Sequence, residues 1–416
     1  VRIQDWFNND IGMAYNMGYF KGTGANTASP NSPLTREQAV VLIGRNLLLD
    51  EKLGETLGFS DSRAFGDWSR GMVESAISAG FIGGYEDGSF RPQKNVTRGE
   101  VAAMLVKAIG TMVNKPGTHE LGGVYGNVMI STSGVKLKNT TIAGDLYITS
   151  GLELGDVLLE NVNVLGKIVV SGAGESHKGD SSIVLRNVEA GELVVDSIAG
   201  QFVTMRAEGN TQIDFTNVKT SAFMDDQTEE GDGLLYIEMN GANGMTLTLA
   251  GNIEEVLNRT PESILTMAEG TAKIVTVDEK AVNSTLDIKN MASINKLNLD
   301  VGTPVTGEGD VKDLFVNAAG SVVDMLPDKI VIRPGLTADI NGEEMDTKEG
   351  NESSSEPRIL SGYPKIKNLA PNSVEVVYST NKKGTIHWAL TSLIDGPVKV
   401  EDLLEVKDYN TKILQQ

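Results

Sequence analysis

The stretch VKLKNTTIAGDLYI (135–148) is followed, at a spacing of 22 residues, by VLLENVNVLGKIVV (157–170). Both alternate apolar and polar residues, carry an Asn in the middle, and resume an apolar run after a Gly. A third copy, IVLRNVEAGELVV (183–195), follows the insertion AGESHKGDS and is one residue shorter before its Gly. Two-residue alternation on a superperiod of about 20 residues is typical of a solenoid, because each coil buries its inward side chains on the next.

Similar apolar runs continue well beyond the third copy. We therefore predict a right-handed parallel β-helix over residues 123–342, in which triplets such as IVV, LVV and LTL point inward. The runs that extend it are MTLTLAG, AKIVTVD, TLDIKN, INKLNLDVG and VKDLFVNAAG.

Asn139, Asn161 and Asn187 occupy one position of the coil. Asn tolerates left-handed backbone angles, and its amide can pair with the coil above, which favours a turn over the alternative of a polar ligand-binding column. The acidic stretch MDDQTEEGDG (224–233) lacks the ligand spacing of an EF-hand. We interpret it as a solvated loop without a metal.

Composition and charge argue against a nucleic-acid-binding protein and against a membrane-spanning one. The chain has 416 residues, no Cys, 46 Gly and a net charge of −20. Residues 1–115 hold twelve basic and twelve acidic residues, so the whole excess lies in 116–416. This acidic part should repel nucleic acid. No apolar run approaches the roughly 20 residues of a membrane span, and no leader precedes Trp6. We expect that any signal peptide was removed or lies outside this sequence.

The first 113 residues contain an internal repeat. A shift of 62 residues superposes the N-terminal part on itself without a gap, which indicates two copies of one unit. The matched pairs include Asp5 with Asp67, Trp6 with Trp68, Gly18 with Gly80, Gly22 with Gly84, Pro30 with Pro92, Thr35 with Thr97 and Arg36 with Arg98.

Each unit is predicted to be helix, loop, helix. In the second copy a first helix ends at Gly80, and GGYEDGSFRP supplies turn residues up to Pro92. A second helix follows, with an apolar stripe at Val101, Met104, Leu105, Ala108 and Met112; its counterpart presents Val40, Ile43 and Leu47. One stripe per helix cannot bury itself, so the units must pack against one another.

Both second helices begin with a capping-box pattern. Thr97 has Glu100 three residues on, and Thr35 has Gln38. Arg98 and Arg36 then stand at the first helical position, where the dipole disfavours a cation. An anion from outside would explain them, since helix amides and a guanidinium both bind carboxylates. The alternative is pairing with nearby acids such as Glu37 or Glu100.

The stretch from Phe65 to Gly110 resembles the surface-layer homology (SLH) family. The resemblance rests on an opening F-x-D at 65–67, the centre GFIGGYEDGSFRP and the Thr-Arg-x-Glu of residues 97–100. The first copy is weaker, because GTGANTASP replaces the central segment. SLH regions usually hold three motifs, so we expect a third upstream of Val1.

This resemblance implies non-covalent anchoring to bacterial secondary cell-wall polysaccharide, which often carries pyruvate ketals, at an extracellular location in the cell wall or S-layer. It also implies that the arginines meet the anionic sugar in a groove between motifs. The two Trp residues either stack on sugar or, more commonly, belong to the core. The candidate ligand-binding residues are Thr35, Arg36, Thr97, Arg98, Glu100, Trp6, Trp68 and Gly84.

The expected domain limits place SLH repeats at 1–49 and 60–113, with the β-helix after them. Residues 343–357 are acidic and Ser-rich, which predicts a linker. Residues 358–416 alternate around a Lys-Lys-Gly turn and predict part of a fibronectin-like β-sandwich. The fold class is thus α + β multidomain, with all-α repeats, a β-helix and a partial sandwich. We expect that the chain continues at both ends.

Catalysis is not indicated. The three histidines, His119, His177 and His387, are too scattered for a metal or nucleophile-base site, and the acids fall mostly in turns. We expect a non-enzymatic surface protein with no cofactor, which displays its β-helix as a structural or adhesive element and self-associates in a lattice. The alternative is an SLH-anchored polysaccharide lyase or hydrolase, which needs clustered carboxylates on the β-helix.

Overall fold

The computed structural model describes residues 7–16, 20–22, 24, 27–52, 57–152, 155–172, 183–197, 202–228 and 233–346, and four strands beyond them. It divides into two compact units, Val1–Thr347 and Lys348–Gln416. Trp6 and His177 lie outside the described residues.

Helices occupy the N-terminal part of the first unit. They are α1 (Asn8–Asn16), α2 (Arg36–Asn46), α3 (Arg70–Ser78) and α4 (Arg98–Ile109), with short 3₁₀ turns at Ser62–Ala64 and Ser150–Leu152. The bounds of α1 and α3 differ by 62 residues, as do the starts of α2 and α4, so the sequence repeat is also a structural repeat. An all-α N-terminal module stays a prediction, because several of its residues lie outside the described part.

Parallel strands then wind into a β-solenoid of about ten coils, which confirms the predicted architecture. Its right-handed winding stays a prediction. The strands are β1 (Thr111–Val113), β2 (Gly117–Val124), β3 (Val128–Ile130), β4 (Val135–Ile142), β5 (Leu146–Ile148), β6 (Val157–Val170), β7 (Ile183–Val195), β8 (Val203–Glu208), β9 (Gln212–Val218), β10 (Ala222–Asp226), β11 (Gly233–Leu234), β12 (Tyr236–Met239), β13 (Thr246–Asn258), β14 (Ile264–Val277), β15 (Thr285–Leu299), β16 (Pro304–Gly307), β17 (Asp310–Val316), β18 (Val322–Val323), β19 (Lys329–Ile332), β20 (Thr337–Ile340) and β21 (Glu343–Asp346).

The register agrees with the aligned sequence copies. Leu137 pairs with Leu159, and Leu159 pairs with Leu185, all three fully buried. One continuous apolar cluster fills the solenoid from Val113 to Ile340. The first strand of the solenoid, β1, begins at Thr111. At the other end Glu343–Asp346, expected in the linker, form β21 antiparallel to β20.

The backbone angles confirm that the three recurring Asn residues lie at turns of the coil. Asn139, Asn161 and Asn187 have φ of 47°, 55° and 54°, the left-handed region. Asn161 Nδ2 donates to Asn139 Oδ1 (3.1 Å), and Asn187 Nδ2 donates to Asn161 Oδ1 (2.9 Å). Beside this ladder, Arg186 lies between Glu160 (3.3 Å) and Glu208 (2.6 Å).

Three local expectations were wrong. The central residues of the apolar triplets, Val169 and Val194, do not face the solenoid interior; they belong to a second core with the helices. Leu105 is 41% exposed, because α4 buries only Met104 and Ala108, and Met112 lies beyond that helix in β1, where it is 46% exposed. Asp225 and Asp226 are not solvated; they end β10 and are 6% and 2% exposed.

The described residues of the second unit form two antiparallel strand pairs. They are β22 (Lys365–Ala370) with β23 (Ser373–Val377), and β24 (Thr385–Trp388) with β25 (Asn410–Ile413). The β-sandwich expected there stays a prediction, as do the domain limits. Within the described residues, no helix has the length and apolar character that a membrane crossing needs.

Candidate functional site

Both predicted capping boxes form. At α2, Thr35 Oγ1 accepts from the amide of Gln38 (3.4 Å), and the amide of Thr35 donates to Gln38 Oε1 (3.0 Å). At α4, Thr97 Oγ1 accepts from the amide of Glu100 (3.1 Å), and the amide of Thr97 donates to Glu100 Oε2 (2.8 Å). The caps fix where each helix begins and therefore where each arginine stands.

Glu100 is held ionised by its donors. The Thr97 amide, followed by the Tyr85 hydroxyl at 2.8 Å, lowers the pKa of Glu100 from 4.5 to about 2. The carboxylate therefore contributes to stability fully above pH about 4.5, and the contribution is lost as pH falls through 2. At neutral pH the cap of α4 is a permanent negative charge.

Arg36 is built into the protein. Its side chain is 9% exposed, and Nη2 donates to the carbonyl of Gly83 (2.9 Å). The guanidinium carbon lies 4.7 Å from the ring centre of Tyr85 and 5.0 Å from that of Phe90. Nη1 is 4.0 Å from Glu100 Oε1, and Nε has no hydrogen-bond partner in the described part of the chain. This arginine is closed off from solvent.

The N-terminal amides of α2 are also occupied. The amide of Arg36 donates to the carbonyl of Lys94 (2.9 Å), and the amide of Glu37 donates to that of Pro92 (3.1 Å). The segment before α4 thus lies across the start of α2. The expected anion site at α2 is filled by the protein's own carbonyls.

The corresponding end of α4 is open. Arg98 is exposed, and neither its guanidinium nor the amides of Arg98 and Gly99 have a hydrogen-bond or ion-pair partner among the residues described. Two equivalent positions of the repeat therefore differ: Arg36 is enclosed, whereas Arg98 is exposed and follows a cap whose next two amides have no partner in the described ranges.

Three cations surround Tyr85, between the two helix ends. Besides Arg36, the Arg91 guanidinium lies 4.2 Å from the ring centre and Lys94 Nζ lies 5.3 Å from it. Lys94 also pairs with Glu100 at 3.2 Å. Arg91 pairs with Asp87 at 2.6 Å, so both cations of this loop already have an acidic partner within the protein.

Asp61 organises this loop and was missed by the sequence analysis. Its carboxylate accepts from the amides of Phe90 (2.8 Å) and Arg91 (2.7 Å). The expected F-x-D triplet was 65–67, but Asp67 is exposed and contacts only Arg70 among the described side chains. Phe59-Ser60-Asp61 is also an F-x-D triplet, so a search for the motif six residues upstream would have found it.

Glu37 has a role other than pairing with Arg36. It is 2% exposed and accepts from the amide of Gly66 (3.0 Å), the hydroxyl of Ser69 (2.8 Å) and Nε2 of Gln93 (2.6 Å). All three donors belong to the second repeat. Glu37 therefore joins the two repeats through a fully hydrogen-bonded buried carboxylate.

The remaining predicted site residues lie near the loop. Trp68 is 49% exposed, so it is a surface residue rather than the core residue that its type favours. A Cβ at Gly84 would lie 2.5 Å from the Phe59 ring, which explains the glycine by packing. Thr35 and Thr97 act through their caps. No cluster of three or more His, Asp or Glu suited to a metal occurs within the described ranges.

In a comparison with known proteins, residues 2–40 and 58–102 of this chain match the family model "S-layer homology domain". An amylopullulanase of Thermoanaerobacterium thermosulfurigenes is 36% identical over 110 residues, 25% of this chain and 6% of that protein. A surface-layer 125 kDa protein of Lysinibacillus sphaericus is 26% identical over 112 residues, 26% of this chain and 9% of that protein. A cellulosome-anchoring protein of Acetivibrio thermocellus is 30% identical over 94 residues, 21% of this chain and 20% of that protein.

The chain thus spans a fifth or less of the length of these relatives. No solved structure matches it. The first compact unit thus combines helical repeats with a parallel β-solenoid. Residues 2–40 and 58–102 are S-layer homology (SLH) domains, and the location of the chain is extracellular, in the cell wall or S-layer of a bacterium.

Proposed function

We propose that the SLH repeats bind secondary cell-wall polysaccharide non-covalently, through acidic groups such as pyruvate ketals, while the β-solenoid projects outward as a structural or adhesive element. The repeats match the family model, and the relatives include proteins named for cellulosome anchoring and surface layers. Self-association in a lattice stays a prediction.

The observation that carries the proposal is the open start of α4. The amides of Arg98 and Gly99 have no hydrogen-bond partner among the described residues, and the Arg98 side chain is exposed beside them. Amides at a helix N-terminus bind anions, and a guanidinium adds a bidentate contact to a carboxylate. A ketal carboxylate on a sugar has the charge and size for this position.

Arg98→Ala tests the proposal. Hydrogen bonds to charged groups contribute about 1.5–3 kcal/mol, so we expect affinity for purified wall sacs to fall about 10- to 100-fold in a pelleting assay. Lys107→Ala is the matched control, because it removes an exposed cation about 13 Å away on the same helix. Sacs stripped of secondary polymer should bind neither the wild type nor the variants. Equal binding by Arg98→Ala and wild type would refute the assignment.

We further propose that the solenoid is not catalytic. Its buried acids have internal donors: Asp225 accepts from Arg206 (3.0 Å), and Asp226 accepts from Thr228 (2.6 Å) and the amide of Leu234 (2.6 Å). Incubation of wall polysaccharide with the chain should release no reducing ends above the buffer blank. Release that Asp225→Asn abolishes would instead favour a polysaccharide-cleaving enzyme.

A further inference from the structure

The C-terminal end of α2 is bound by the β-solenoid. The hydroxyl of Tyr147 in β5 shares its one proton between two acceptors, the carbonyl of Leu47 (3.1 Å), which is the C-cap residue, and Oδ2 of Asp145 (2.8 Å). Nζ of Lys167 in β6 donates to the carbonyl of the next residue, Leu48. The carbonyl of Leu47 belongs to the negative end of the helix dipole, and that of Leu48 follows it directly, so an ammonium group is favourable here. Lys167 is itself only 11% exposed.

The C-terminal end of α4 is bound in the same way. Nδ2 of Asn127 donates to the carbonyl of Ala108 (2.7 Å), and its Oδ1 accepts from the amide of Asp145 (2.9 Å). Gly110 has a φ of 67°, and a Cβ there would lie 2.2 Å from the carbonyl oxygen of Asn127. Only Gly fits this turn, after which the chain enters β1 at Thr111.

Apolar packing closes the junction between these polar contacts. Tyr147, Val169 and Val194 are in register on neighbouring coils, and Met129 precedes them in the same column. The first three are 4%, 1% and 3% exposed and belong to one buried cluster with the helices. Burial raises the pKa of Tyr147, followed by the effect of the Asp145 carboxylate at 2.8 Å, so the hydroxyl stays protonated.

We infer that the first coils of the β-solenoid orient the wall-polymer site, with Tyr147, Lys167 and Asn127 as positioning residues. Each holds the end of a helix whose other end carries Arg36 or Arg98. These helices have 11 and 12 residues, or about 16–18 Å of length. The solenoid thereby fixes the direction in which Arg98 and the Tyr85 loop are presented. The identity of the ligand in this inference rests on the proposed function. The junction between the helices and the solenoid does not.

A distance measurement tests the junction without polymer. The chain has no Cys, so spin labels attach only at introduced sites. Ala79→Cys after α3 and Met291→Cys on β15 are both exposed. Pulsed electron paramagnetic resonance should give one narrow distribution of the distance between the two labels in the otherwise wild-type chain. Tyr147→Phe with Lys167→Met should broaden it, whereas Lys138→Met, which removes an ion pair with Glu160 on another part of the coil, should not.

The same variants are then tested on wall sacs. The double variant should bind about fivefold more weakly with unchanged circular dichroism, and Lys167→Arg, which keeps a donor, should bind like wild type. Failure of the wild type to bind sacs would refute the proposed function, and the distance distributions would still decide the junction. A broad wild-type distribution, or a double variant with unchanged distance and affinity, would overturn the inference.

Discussion

Arg36 and Arg98 occupy equivalent residues of the repeat but have opposite environments. The capping pattern and the first helical position of both could be predicted from local sequence, because a cap involves residues three apart. Their exposure could not, since it depends on the segment 92–96 lying across α2. That contact joins residues almost 60 positions apart, and no local pattern records it. At the scale of single residues, the structure therefore separates an enclosed arginine from an exposed one.

Arg36→Ala should lower the free energy of unfolding by about 1–3 kcal/mol, because it leaves the carbonyl of Gly83 without its donor and removes packing against Phe90. Arg98→Ala should leave it unchanged within about 0.5 kcal/mol, since Arg98 is exposed. Urea unfolding at neutral pH measures both. Equal stability losses for the two variants would show that Arg36 and Arg98 do not differ in burial as described above.

At the scale of elements, the alternation of residues 135–195 was sufficient to predict the coils and the left-handed Asn turns. The same alternation did not reveal which apolar residues lie on the outer face of the coils. Val169 and Val194 were expected to point inward because they are apolar, but period-two alternation turns the middle residue of a triplet outward. Their apolar character is explained by the helices that cover them. The exposed Leu105 shows the converse error, in which an apolar residue of a periodic helix remains in solvent.

The Asn ladder yields a prediction at this scale. Asn161→Ala should destabilise the solenoid by about 1 kcal/mol more than Asn161→Gly, although Ala is otherwise favoured over Gly. Both lose the ladder hydrogen bonds to Asn139 and Asn187, but only Ala is strained at a φ of 55°. Thermal unfolding followed by circular dichroism gives the ranking. The reverse order would mean that the ladder, and not the backbone angle, selects Asn.

At the scale of the whole molecule, the helical repeats and the first coils of the solenoid share one buried core, although their sequences predict separate domains. The acidic solenoid and the neutral helical repeats differ in charge and periodicity, which predicts separate domains. The junction is carried by four side chains from four successive coils, and no single stretch of sequence contains them. Only the coil register brings Met129, Tyr147, Val169 and Val194 into one column facing the helices.

The shared core predicts that a defect inside the early coils is felt by the helices. Leu159→Ala removes a fully buried side chain of β6, which should cost about 2–5 kcal/mol. Because neighbouring coils carry Tyr147 and Val194, hydrogen exchange measured by mass spectrometry should accelerate in peptides covering α2 and α4 as well as in β6. Leu297→Ala, an equally buried deletion in the distant β15, is the control. Coils of a solenoid interact mainly with their neighbours, so this variant should accelerate exchange around β15 and leave α2 unchanged. Unchanged exchange in α2 and α4 for both variants would mean that the helices unfold independently of the coils on which they pack.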